Sequence, residues 1–143
     1  MQLLNSATAT GLMGEYIALS AILSMGWKAT HCPMDRIDAL AFNAVDQTFL
    51  RCQIKTASLG LSGHHKSARH HFQLGHGCKA KHLPTKEDYD VLCLVSPNAR
   101  RCLFLPVTSV RQYSMRVSPT RFTEDAERES WDKALAVVLE MRR

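Results

Sequence analysis

The stretch Ile37-Asp38-Ala39-Leu40-Ala41-Phe42-Asn43, followed after a short polar turn by Phe49-Leu50-Arg51-Cys52-Gln53-Ile54-Lys55-Thr56-Ala57, decides the fold. Both runs read as strands. Successive side chains on a strand point to opposite faces, so Asp38, Leu40 and Phe42 share one face of the first, and Arg51, Gln53 and Lys55 one face of the second. If the turn pairs Phe42 with Phe49, Asp38 lies directly opposite Gln53. Opposed Cβ atoms stand about 5 Å apart, and a diagonal Lys55 remains within reach of a long side chain. A slip of two residues would keep all three on one face.

The flanking segments supply the rest of a mixed α/β domain with one central sheet. Upstream, Leu12, Tyr16, Leu19, Ile22 and Leu23 recur at helical spacing over Thr8 to Met25, and Gly26 supplies the C-terminal stop. Trp27 to Cys32 reads as a short strand ended by Pro33. Downstream, Tyr89 to Val95 and Cys102 to Val107 read as two more strands joined by Ser96-Pro97-Asn98-Ala99-Arg100, and Ser130 to Met141 as an amphipathic helix. Between them lies a basic, His- and Gly-rich insert at about residues 58–86, read as a long loop or a hairpin containing a strand at Arg69 to Leu74.

The chain has 143 residues, 45% apolar and 22% charged, which predicts one globular domain over 1–143 rather than a disordered tail. No apolar run reaches the roughly 20 residues a membrane span needs. The N-terminus lacks the basic start and apolar segment of a secretory signal, so a cytoplasmic protein is expected. The five cysteines, Cys32, Cys52, Cys78, Cys93 and Cys102, form no C-x-x-C and read as reduced thiols. Cys52, Cys93 and Cys102 sit in apolar strands, where cysteine acts as a small hydrophobe.

Net charge is +5, and its distribution says more than its sum. Between Asp46 and Glu87 there is no acidic residue, while Arg51, Lys55, Lys66, Arg69, Lys79, Lys81 and Lys86 all fall there with six of the seven histidines. Such a segment attracts phosphates, in contacts that weaken as salt rises. Arg51, Lys66, Arg69, His70, His71, Lys79 and Lys81 are the candidate DNA contacts. The same histidines offer a rival reading, in which His70, His71, His76, Cys78 and His82 supply zinc ligands to a zinc-stabilised interaction protein. Their spacing fits no standard zinc motif.

An aspartate, an amide and a lysine converging on one sheet face can form a phosphodiesterase site. Hard oxygen donors suit Mg²⁺, and a lysine ammonium can position water or offset charge on the phosphate. Glu15 is the only carboxylate of the first helix and could complete the site.

Gly14-Glu15 in an early helix, then Ile37-Asp38-Ala39-Leu40, then Gln53-Ile54-Lys55-Thr56, resembles the PD-(D/E)XK nuclease superfamily. Its Gln-x-Lys version is most similar to small homing endonucleases encoded in bacterial group I introns, and more distantly to Holliday-junction resolvases. The resemblance covers about residues 11–95. It implies a restriction-endonuclease-like core of α+β type, a central mixed sheet flanked by helices in αβββαβ order, with the insert where the middle helix would fall. It also implies a catalytic set of Asp38, Gln53, Lys55 and Glu15, with Asp38, Gln53, the Ile54 carbonyl and Glu15 holding Mg²⁺ or, in its place, Mn²⁺. The expected activity is metal-dependent, site-specific cleavage of double-stranded DNA, and cutting both strands calls for a homodimer or homotetramer. Gln53 departs from the Glu or Asp usual at its position, which leaves open a non-catalytic nucleic-acid-binding module on a decayed nuclease core.

Overall fold

Val91–Ser96 is buried along its whole length and organises the molecule. A computed structural model describes residues 6–60 and 68–143. The elements are α1 (Ser6–Ser24), β1 (Lys28–Met34), β2 (Ile37–Asn43), β3 (Thr48–Thr56), β4 (Leu59–Gly60), β5 (Arg69–Gln73), β6 (Val91–Ser96), β7 (Arg101–Pro106), β8 (Ser114–Val117) and α2 (Glu124–Met141), with short 3₁₀ turns before and after β8. The central sheet has the order β1-β2-β3-β6-β7 and is antiparallel except for the β3–β6 pair. A second, antiparallel sheet has the order β4-β5-β8.

A strand covered on both faces reads as a continuous apolar run, as β6 does. Val91, Cys93 and Val95 join a core with Ala18 and Ile22 of α1, Cys52 and Ile54 of β3, and Trp131 and Val138 of α2. Leu92 and Leu94 join a second core with Phe72 of β5, Val117 of β8, Leu103 and Phe122. The two helices therefore cover one face of the central sheet, and the smaller sheet covers the β6–β7 end of the other.

Phe42 pairs with Phe49 and Ala39 with Cys52, as the hairpin reading requires. Pro33 does not end β1, because β1 is an edge strand whose pairing becomes irregular between His31 and Met34. No helix occupies the insert among the described residues; β4 and β5 stand there instead, joined by β8, which periodicity alone did not indicate. The α2 helix starts six residues before Ser130, at Glu124, because the Thr123 side chain accepts the Ala126 N–H and acidic residues fill its first turn.

The edge strand β7 is closed by α2 rather than by another strand. Buried Glu127 accepts the Cys102 N–H at 2.7 Å and the Arg101 guanidinium at 3.2 Å, and Ser130 Oγ accepts the Phe104 N–H at 3.0 Å. These contacts satisfy main-chain donors that an open edge would expose. All five cysteines are unpaired, with Cys52, Cys93 and Cys102 buried. The neighbouring Cys52 thiol and burial push Cys93 well above the ordinary thiol range. Burial, with Glu127 nearby, does the same for Cys102. Among the described residues no helix is long and apolar enough to cross a membrane.

Candidate functional site

The β2–β3 ladder stops at Ala39 and Cys52, whereas β3 continues alongside β6 from Cys52 to Thr56. The last four residues of β3 thus have a partner on one side only. Asp38 sits where the two strands part. Its Oδ2 accepts the Ile54 N–H at 2.7 Å, replacing the main-chain carbonyl that the ladder no longer supplies. The same oxygen accepts Gln53 Nε2 at 3.4 Å. These two bonds leave Asp38 Oδ1 and Gln53 Oε1 to other partners.

Ala39, Cys52 and Ile54 lie in the helix-side core, so by alternation Asp38, Gln53 and Lys55 face the opposite side of the sheet. Lys55 is half-buried and has no ion pair or hydrogen bond among the described residues. A half-buried ammonium without a counter-ion is costly, and an incoming anion would relieve that cost.

Glu15 shares a cleft with Lys55 of this group. It is half-buried on α1, on the helix side of the sheet, and lines an open cleft of about 790 Å³ with Gly11, Leu12, Ile54, Lys55 and Thr56. No hydrogen bond joins it to Asp38 or Gln53. What places Glu15 beside the end of β3 is Gly14: a Cβ there would overlap the Thr56 side chain. The helix can approach β3 this closely only with glycine at that position.

The expected DNA contacts divide by placement. Arg69 is half-buried, and His71, Lys79 and Lys81 are exposed. Lys79 and Lys81 lie on the loop that reciprocal main-chain bonds between His76 and His82 close. Arg51 is committed elsewhere, to Asp90 at 3.1 Å and to the Lys86 and Glu87 carbonyls at 2.6 and 3.0 Å. That pairing with Asp90 raises its pKa and ties β3 to the start of β6. His70 is buried, with Nδ1 2.7 Å from the Ala57 carbonyl and Nε2 3.2 Å from Ser96 Oγ, so neither nitrogen is offered to a ligand. Lys66 lies outside the described residues.

The zinc reading finds no cluster. His70 lies in the core, His71 faces outward, and the His76 and His82 rings are 5.7 Å apart. Among the described residues no three His, Cys, Asp or Glu side chains gather to hold a metal.

Sequence reasoning missed the polar face that β8 adds beside β5. His71 pairs with Arg116 and Gln73 with Ser114, so these four side chains point outward while Phe72, Met115 and Val117 point toward the core. A signal for it existed: the run from Val91 to Thr123 is a second stretch without an acidic residue.

No protein-family profile and no curated protein matches this chain. It is similar to the solved structure of a bacterial homing endonuclease, I-Ssp6803I, with a TM-score of 0.70 and 16% sequence identity over 97% of this chain and 99% of that one. At that identity the likeness establishes the fold: the chain has the α+β architecture of that bacterial homing endonuclease over nearly its whole length.

Proposed function

We propose that this protein is a metal-dependent DNA endonuclease of the homing, site-specific type. The observation that carries the reading is the shared face of Asp38, Gln53 and Lys55 at the point where β2 and β3 part, in a fold matching that of a homing endonuclease over 97% of the chain. The PD-(D/E)XK pattern in its Gln-x-Lys form accounts for that arrangement.

The donor set fits a hard divalent cation. Asp38 contributes a carboxylate oxygen and Gln53 an amide oxygen, and the Ile54 carbonyl lies on the same strand. Mg²⁺, or Mn²⁺ in its place, would supply Lewis-acid polarisation of a phosphate when held there. Lys55 brings the positive charge that a phosphodiester needs as negative charge builds on its oxygens, and its ammonium can orient the attacking water. Gln53 holds the Asp38 carboxylate through its Nε2 while keeping its own oxygen available. Glu15, which lines the cleft beside Lys55, would complete the metal site or orient water. Cleavage of both strands calls for two such sites, so a homodimer or homotetramer belongs to this reading.

The experiment is incubation of the purified chain with plasmid and mixed genomic DNA, in Mg²⁺ and in EDTA, beside Asp38→Ala and Lys55→Ala. Nicked or discrete products that require Mg²⁺, Asp38 and Lys55 are expected. Full cleavage by either folded variant refutes the site. The neutral amide at Gln53 favours one rival, a DNA-binding module on the same core, which predicts salt-sensitive binding and no Mg²⁺-dependent cutting.

A further inference from the structure

We infer that the outer face of the β4–β5–β8 sheet reads base edges in the major groove of duplex DNA, with Gln73 and Arg116 as its specificity-determining residues. The inference rests on the nuclease reading for the identity of the partner. It goes beyond that reading in assigning the surface that carries sequence discrimination.

The register fixes which side chains stand together. Arg69, His71 and Gln73 occupy alternate positions of β5, and Arg116 and Ser114 lie opposite His71 and Gln73 on β8. The intervening residues, His70, Phe72 and Val117, are buried against the central sheet, so the five polar side chains cannot turn inward. Every one of them can donate a hydrogen bond, and none is acidic. Both strands come from the acid-free stretches between Asp46 and Glu87 and between Asp90 and Glu124. An ordinary solvated sheet face mixes both signs of charge, and this one does not.

Orientation links this face to the catalytic residues. Asp38, Gln53 and Lys55 point away from the helices, and so do the outward side chains of β5 and β8. The smaller sheet rests on the central one, and stacked sheets are about 10 Å apart. Its outer face therefore stands one sheet thickness above the catalytic face, on the same side of the molecule. The major groove is about 8.5 Å deep and about 12 Å wide, enough to admit a two-stranded ribbon. A duplex can take β5 and β8 into its groove while a phosphate strand drops to the level of Lys55. From Arg69 to Gln73 the ribbon spans roughly 14 Å, about four base-pair steps.

The residue types suit the task unequally. Glutamine pairs with both adenine edge atoms and arginine with both guanine acceptors, each through two hydrogen bonds. Arg69 is half-buried and His71 exposed, and both serve as phosphate or secondary contacts. Ser114 has one short hydroxyl and discriminates little.

The test is binding selection by the full-length protein from a randomised duplex library, in buffer with Ca²⁺ and no Mg²⁺, followed by sequencing. The wild type should enrich a consensus. Gln73→Ala and Arg116→Lys should each erase preference at a different base pair, by on the order of 10- to 100-fold. Arg116→Lys keeps the charge but loses the planar fork, so a mere phosphate contact would leave the consensus intact. An unchanged consensus in both variants overturns the inference, as does wild-type binding without any consensus. Asp38-dependent plasmid cleavage by the wild type then shows whether the nuclease reading survives that failure. Absence of DNA binding would remove both.

Discussion

Gly14→Ala tests the packing that brings α1 to the end of β3. A Cβ at this position would lie 2.7 Å from both Cβ and Cγ2 of Thr56, in addition to overlapping its hydroxyl. Favourable carbon contacts begin at about 3.5 Å, so α1 must retreat from β3 by about 1 Å. Rotating Thr56 cannot relieve the clash, because its Cβ is among the atoms met. Overpacking of this kind costs about 1–3 kcal/mol, while alanine in place of glycine in a helix contributes about 0.5–1 kcal/mol of stability. A net loss of up to about 2.5 kcal/mol is expected in urea denaturation. Because Glu15 follows Gly14 directly, the same shift moves it relative to Lys55, and on the proposed nuclease reading a misplacement of about 1 Å would lower the cleavage rate on the order of 100-fold. Adding Thr56→Gly removes all three clashing atoms, so the double variant should recover part of both losses, with a coupling of about 0.5–3 kcal/mol. A Gly14→Ala protein as stable as the wild type, or more so, with the same cleavage rate would show that α1 does not depend on this close approach.

Glu127→Ala should cost about 2–4 kcal/mol in chemical denaturation, because it leaves the buried Cys102 N–H without its acceptor and the Arg101 guanidinium with only the longer contact to Glu124 at 3.8 Å. Burial would raise the Asp88 pKa, but the Thr85 N–H and the Arg36 guanidinium at 2.6 Å outweigh it and hold the group below its ordinary value. A carboxylate lowered on folding contributes stability above its unfolded pKa of about 3.9, and that contribution is lost as pH falls through the folded value. Asp88→Asn should therefore lower the Tm at neutral pH and flatten the decline between about pH 4 and lower values; an unchanged acid limb would refute this assignment. Gln53→Glu places a second carboxylate beside Asp38 Oδ2, where Gln53 Nε2 now stands 3.4 Å away. It should lower the metal-free Tm and enlarge the rise in Tm on adding Mg²⁺, and an equal response in both proteins would refute the pair as a shared metal site.

How much of this was legible depends on how far apart in sequence the interacting residues lie. The β2–β3 hairpin was legible because its register is local. Phe42 and Phe49 flank a polar turn, and their rings pack at a tilt of 33° with centroids 4.5 Å apart. That pairing alone brings Asp38 and Gln53 together. The strand β8 was not legible, because Ser114-Met115-Arg116-Val117 is too short to show a period and its partner β5 is more than forty residues away. The α2 start was hidden for another reason. Its first turn carries Glu124, Asp125 and Glu127, which answer to the helix dipole and to β7, and the apolar stripe begins only at Trp131. His70 was misplaced among the DNA contacts although a signal existed. Alternation through Arg69-His70-His71-Phe72-Gln73 puts His70 on the same face as Phe72, and an aromatic at that position marks the inward face.

The layer order distributes the net charge of +5 unevenly across the molecule. Six of the thirteen acidic residues lie on α2, on the helix side of the central sheet. Asp88 and Asp90 are paired with Arg36 and Arg51. The smaller sheet has no acidic residue and bears Arg69 and Arg116 outward. On the proposed nuclease reading, this placement of the acidic residues would favour approach of a duplex from the sheet side. That is the side that carries Asp38, Gln53 and Lys55, the last without an ion pair among the described residues. On that reading, charge placement by layer, rather than total charge, would couple the proposed binding surface to the proposed catalytic face. A protein with the same composition but the acids of α2 moved onto β5 and β8 would keep its net charge and lose that guidance.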